Sequence, residues 1–181
     1  MTAPADWIGF AEMIGGASGA LTGLLFVSVS LNASRIAGHQ GLRASAGQTL
    51  VLFLTPLFGA AALLAPGQSD PVVGGELIAI GVIASWTLLA NGRRKRWRAD
   101  DDALVIAIFN HRFPNVLVML LFVASGIALA CGANGGLYLL LPASLVAFAS
   151  GVLNAWYFLL PPLSTQRKIK EQVEARDRSS E

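Results

Sequence analysis

The stretch PVVGGELIAIGVIASWTLLANGRRKRWR, residues 71–98, decides the fold. Its first twenty residues, Pro71 to Ala90, carry one charge, Glu76. Five of the six residues 93–98 are then cationic: Arg93, Arg94, Lys95, Arg96 and Arg98. A helix rises about 1.5 Å per residue, so about 20 apolar residues cross the ~30 Å hydrocarbon layer of a bilayer. A run of that length ending abruptly in a basic cluster reads as a membrane span with its cytoplasmic anchor. Pro71 suits the first turn of such a helix, where its missing N–H costs nothing.

Working outward, the same pattern recurs. Spans are expected at about residues 7–31, 45–65, 71–90, 115–131 and 136–160. The fourth extends backward through DDALVIAIFNHRF (101–113) if the helix bends at Pro114, and the fifth stops at Pro161 and Pro162. Apolar residues surround each segment instead of forming a stripe, as in helices embedded in lipid. Of 181 residues, 54% are hydrophobic and 13% charged, about half the charge of an average soluble domain. Disorder, collagen and coiled coil do not fit that composition. The single cysteine, Cys131, excludes an internal disulfide framework and a cysteine-based zinc site. The expectation is an all-α, polytopic membrane helix bundle. It comprises one transmembrane domain over 1–163, a basic cytoplasmic loop over 91–113 and a charged cytoplasmic tail over 164–181.

Orientation follows from the cations, because cytoplasmic loops hold the excess of Lys and Arg. Arg35 and Arg43 follow the first span, the basic cluster and Arg112 follow the third, and Arg167, Lys168, Lys170, Arg176 and Arg178 lie in the tail. These are all 13 Lys and Arg residues, and every one falls on one side. The opposite side has Asp6 and Asp70, with Glu12 and Glu76 nearby. The N-terminus is therefore expected outside and the C-terminus in the cytoplasm. The first apolar run lacks a basic leader and is too long for a signal peptide, so it reads as a retained helix.

Lipid tails are as apolar as leucine, so helices associate in a bilayer through close backbone approach and interhelical hydrogen bonds. Gly15, Gly19 and Gly23 recur every four residues in the first span, as do Ala143, Ala147, Gly151 and Ala155 in the fifth. Ala124, Ala128 and Gly132 repeat the spacing in the fourth. The first and fifth helices are thus expected to be the tightly packed members. The spacing serves packing within the bundle or self-association through the first helix. Pro56 in the second span frees the carbonyl of Leu52, which Thr55 or a neighbouring helix can satisfy.

Glu12 and Glu76 are the only carboxylates inside the spans, and ionisable groups at membrane depth point to ion or proton sites. Both lie about one turn from the outer boundary, with Glu12 expected on the face of Gly15 and Gly16. The alternative is a carboxylate favoured by the helix dipole and headgroup water. The basic run 93–98, with Trp97, reads as an anchor to anionic lipid headgroups and not as a nucleic-acid site. Asp100, Asp101 and Asp102 offset it and cap the next helix. His39 and His111 sit in different loops with no metal-ligand spacing, so neither a metal nor a cofactor is implied. Asn154 and Asn91 read as interhelical hydrogen-bonding groups. The sequon at Asn32 is uninformative on the cytoplasmic side. No nucleophilic serine motif or phosphate loop occurs, so enzymatic activity is not expected.

Three stretches also carry a family likeness: GASGALTGLLFVSVSLN (16–32), APGQ (65–68) with GGELIAIG (74–81), and GGLYLLLPASLVAFASGVLNAW (135–156). They resemble a family of small integral membrane proteins of unknown function, common in actinobacteria, with about five spans. Some members are labelled modulators of FtsH protease. The resemblance covers about half the chain, includes Glu76 but not Glu12, and departs at FLLPPLST (158–165). It implies a bacterial inner-membrane location and supplies no reaction. The sequence thus points to an accessory or regulatory membrane protein acting through helix–helix contacts, with the bilayer and a second copy or another membrane protein as partners. The alternative is a small oligomeric channel or transporter using the outer carboxylates.

Overall fold

The long apolar runs become long helices. The computed structural model describes residues 7–38, 40–93 and 112–159. Helix α1 spans Ile8–Leu31, α2 Ala33–Gly38, α3 Gln40–Leu64, α4 Asp70–Arg93, α5 Arg112–Ala130 and α6 Leu140–Leu159, with a 3₁₀ helix at Asn134–Leu139. No strand occurs among the described residues. Three segments, Ile8–Leu31, Leu42–Leu64 and Gly135–Trp156, are long and apolar enough to cross a membrane, and Asn115–Ala130 is a shorter apolar helix.

Several helix boundaries have a local cause. Asn32 ends α1, donating its side-chain amide to the Ser28 carbonyl at 3.0 Å. Arg43, on α3, donates its guanidinium to the carbonyls of Ile36 and Ala37 at the end of α2. This contact fixes the corner between α2 and α3. Between α3 and α4, Pro66 precedes Gly67 at φ +74°, a pairing that suits a type II turn. Pro71 sits in the first turn of α4, a position that proline tolerates. Helix α5 ends in a Schellman motif: Ala133 N–H donates to the Ala128 carbonyl at 2.8 Å and Gly132 N–H to Leu129 at 2.9 Å. Gly132 supplies the left-handed residue, φ +78°. A Gly132→Ala substitution places a Cβ on that backbone, and a loss of about 1 kcal/mol is expected in chemical denaturation.

The helices run alternately up and down. Gly15 of α1 lies against Ala60 of α3, Gly59 of α3 approaches Leu77 of α4, and Gly74 of α4 meets Gly126 of α5. Neighbour relations close α3, α4, α5 and α6 into a four-helix ring, with α4 and α5 the most extensively paired. Helix α1 stands outside the ring, chiefly on α3. Its membrane-length window is only 17% buried, against 56% for Leu42–Leu64. At one end of the bundle Trp7 meets Phe10 and Tyr138 edge-on, with ring centroids 5.3 and 4.9 Å apart. Tyr138 belongs to the 3₁₀ helix, so this trio ties the start of α1 to the ring. The core is built from Leu52, Phe53, Leu77, Phe122, Leu129 and Leu137, with Ala143 and Ala147 of α6 fully buried.

Candidate functional site

At the Trp7 end, the α3–α4 turn and the first turns of α4 bring two polar side chains together. Gln68 Nε2 donates to Glu76 Oε1 at 3.0 Å, and Glu76 is half-buried. Glu12 is not part of this arrangement. Its helix packs chiefly on α3, and its side chain lies on the exposed surface of α1. The expected inward face for Glu12 is corrected by the phase of α1. Ala11, Ile14, Ser18 and Leu25 are the buried residues, and one step of a helix turns about 100°. Glu12 therefore points well away from that stripe. The two carboxylates do not converge on one site.

The same phase sorts the small residues. Successive steps of four drift about 40° around a helix, so Gly15, Gly19 and Gly23 leave the packed face in turn. A Cβ on Gly15 would lie 3.3 Å from Ala60, whereas at Gly16, Gly19 and Gly23 it would meet nothing within 4 Å. Gly19 and Gly23 are exposed beside Glu12 and Gly16. Helix α1 is thus the loosest member of the bundle and not one of the tightest. In α6, Ala143, Ala147 and Gly151 are buried and Ala155 half-buried. There Gly151 receives the ring of Phe53, whose edge would stand 2.3 Å from an added Cβ.

The closest helix approach lies elsewhere. A Cβ on Gly74 would fall 2.6 Å from the Gly126 carbonyl oxygen, and one on Gly126 would fall 2.6 Å from that of Gly74. Gly81 lies seven residues further along α4 and faces Val123 of α5 at 2.8 Å. A spacing of seven keeps both glycines on nearly one face. In α5, by contrast, Ala124 is exposed, and Gly132 serves the turn after the helix.

At the opposite end, polar groups lie inside the bundle. Asn154 Nδ2 donates to the Ser45 carbonyl at 2.9 Å and to Thr49 Oγ1 at 2.5 Å, and Thr49 donates to the same carbonyl at 3.0 Å. Asn154, Thr49 and Gln48 are all buried. This clamp joins α6 to α3. Nearer the middle of α3, Pro56 is buried within a continuing helix. The Thr55 hydroxyl donates to the Val51 carbonyl at 2.7 Å instead of serving Leu52.

Arg93 closes α4. The remaining basic anchor (Arg94, Lys95, Arg96 and Arg98), together with Trp97, Asp100, Asp101, Asp102, His39, His111 and the tail, lies outside the described residues. No group of three or more His, Cys, Asp or Glu side chains placed to hold a metal occurs among the described residues. No family model, curated protein or solved structure matches this chain.

Proposed function

We propose that the chain is a five-span protein of a bacterial cytoplasmic membrane, with its N-terminus outside, that acts as a non-enzymatic accessory or regulatory protein through helix–helix contacts. Its surface supports the membrane reading. Large apolar side chains are exposed on several helices, among them Phe26, Ile83, Leu120 and Leu153, while Asn154, Thr49 and Ser125 are buried. That is the distribution a lipid solvent favours, since lipid-facing side chains are apolar and polar groups pair inside. Aromatic residues mark both ends: Trp7 and Tyr138 at one, exposed Trp86 and Trp156 towards the other. Belts of this kind sit at headgroup level. Helix α4 and α5 supply the remaining two spans, and the one-sided cations set the orientation.

The observation that carries the functional reading is the outer face of α1. Gly16, Gly19 and Gly23 line it with no neighbour, and α1 is the least covered long helix. A glycine face offers little to acyl chains and lets another helix approach closely. Glu12 lies on the same face, about one turn from the outer boundary, where its carboxylate reaches headgroup water or a partner helix. The family resemblance in 16–32 falls on this same helix.

One experiment tests both parts. In a Cys131→Ser background, Gly19→Cys is expected to give a cross-linked adduct in intact membranes, either a dimer or a conjugate with a second membrane protein. Gly16→Leu and Gly23→Leu together are expected to abolish it without changing the yield of folded chain. Absence of any adduct, with a monomer isolated in mild detergent, would sink the contact reading. A reporter inserted after Gln68 is expected on the outer side, and cytosolic activity there would reverse the topology.

A further inference from the structure

Helix α1 is joined to the bundle differently from the four helices of the ring. Inside the ring, seams close by tight approach or by hydrogen bonds. An added Cβ at Gly74 would lie 2.6 Å from backbone, and one at Gly151 would lie 2.3 Å from the Phe53 ring. Asn154 clamps α6 to α3. At the α1–α3 seam the corresponding distance, from Gly15 to Ala60, is 3.3 Å. The buried hydroxyl oxygens of Ser18 and Thr22 form no hydrogen bond across that seam. A small cavity remains between Ala11 and Ile14 of α1 and Pro56 and Ala60 of α3, and it extends to Phe122 and Ser144 of the ring.

The solvent decides what this means. In water, burial of Ala11, Ile14 and Leu25 would hold α1 down. Lipid takes up such side chains as readily as a neighbouring helix does, so packing and interhelical hydrogen bonds are what keep a helix docked. The α1 seam is short of both. The Ser18 hydroxyl is no obstacle to release, since it can bond a carbonyl of its own preceding turn whether α1 is docked or free. The two ends of α1 are tied unequally. Beyond Asn32 the chain enters α2, which Arg43 fixes to α3. At the other end, the aromatic contact that reaches the ring is Trp7 on Tyr138, edge-on at 4.9 Å. Tyr138 is 68% exposed, and Phe10, the third member of the trio, belongs to α1 itself.

We propose that α1 is a hinged strap: it swings off α3 about its Asn32 end, is latched at the other end by Trp7 on Tyr138, and leaves the α3–α6 ring assembled. The strap is then a cooperative unit of its own, less stable than the ring, as elements with few buried contacts are. This goes beyond the contact reading, which needs only the outer face of α1. Opening concerns the inner face, where Ala11, Ile14, Ser18 and Leu25 are buried, and gives α1 a second surface for a neighbouring helix.

Two serines provide a matched test. Ser18 of α1 and Ser125 of α5 are both 0% exposed, so a rigid bundle protects a cysteine equally at either place. Ser125 also lies nearer the Trp7 end of its helix than Ser18 does, which makes it the shallower of the two. Ser18→Cys and Ser125→Cys are made singly in the full-length Cys131→Ser chain, in mild detergent, and treated with the apolar thiol reagent 4,4′-dithiodipyridine. Ser18→Cys is expected to react at least about tenfold faster, because only α1 opens short of global unfolding. Tyr138→Leu is expected to speed that reaction about two- to tenfold, the worth of one aromatic pair, and to leave Ser125→Cys unchanged. Ala11→Cys, likewise 0% exposed on α1, gives the same comparison if Ser18→Cys disturbs the seam. A cysteine on α1 that reacts no faster than Ser125→Cys overturns the strap, as does a Tyr138→Leu change that accelerates neither position or both alike. The Gly19→Cys adduct is read separately: an adduct with a protected inner face keeps the contact reading and removes the strap, and the converse keeps the strap alone.

Discussion

Gly74→Ala is expected to destabilise the bundle severely, while Gly75→Ala, one residue on, leaves it unchanged or slightly more stable. At position 74 the new methyl would lie 2.6 Å from the Gly126 carbonyl oxygen and 2.8 Å from the Ala130 nitrogen. Both obstacles are backbone atoms, so no side chain can turn aside. Helices α4 and α5 must separate along their most extensive contact. Overpacking typically costs about 1–3 kcal/mol, and this substitution belongs at the upper end or beyond. At position 75 the methyl meets nothing within 4 Å, and alanine is the better helix former by up to about 1 kcal/mol. Thermal unfolding in detergent, followed by tryptophan fluorescence, separates the two. Equal midpoints would show that the α4–α5 approach is not the tight contact described.

The second large effect is expected at Gly151→Ala, with partial rescue by Phe53→Leu. Here the obstacle is the rim of a ring, at 2.3 and 2.9 Å. Phe53 is fully enclosed, so it cannot swing into lipid to make room. The single change at 151 therefore strains the α3–α6 seam. Shortening Phe53 alone leaves a cavity and also destabilises. Combined, the new methyl occupies part of the space that the ring vacates. The double variant should be more stable than the sum of the two losses by about 1–2 kcal/mol, within the usual range for residues in contact. Strict additivity in a denaturant-based cycle would remove the proposed contact.

Helix existence was legible in the sequence, and helix rotation was not. The apolar run opening at Pro71 marks where α4 begins, because proline acts locally, whereas Gly132, which the sequence offers as part of a packing row with Ala124 and Ala128, serves the turn that ends α5. The short α2 and the 3₁₀ turn at Asn134–Leu139 escape such a reading, since neither is long enough to show a period. In lipid-type helices hydrophobicity lies all round, so no apolar stripe fixes the buried face. Small residues must then decide it, and there are too many of them. The regular Gly15–Gly19–Gly23 spacing suggested the packed face of α1, yet the drift of an i+4 row carries Gly19 and Gly23 outward. Gly74, Gly81 and Gly126 carry the close approach without such a conspicuous repeat. Asn154 was recognisable as a polar group within an apolar run, but its partners, Ser45 and Thr49, could come only from the fold.

Thr49 and Asn154 are separated by 105 positions in the chain. A ribosome therefore synthesises four long helices before the residue that closes the ring exists. During that interval the Thr49 hydroxyl has only the Ser45 carbonyl of its own helix as a partner. The clamp that ties α6 to α3 is thus made only when almost the whole bundle has been synthesised.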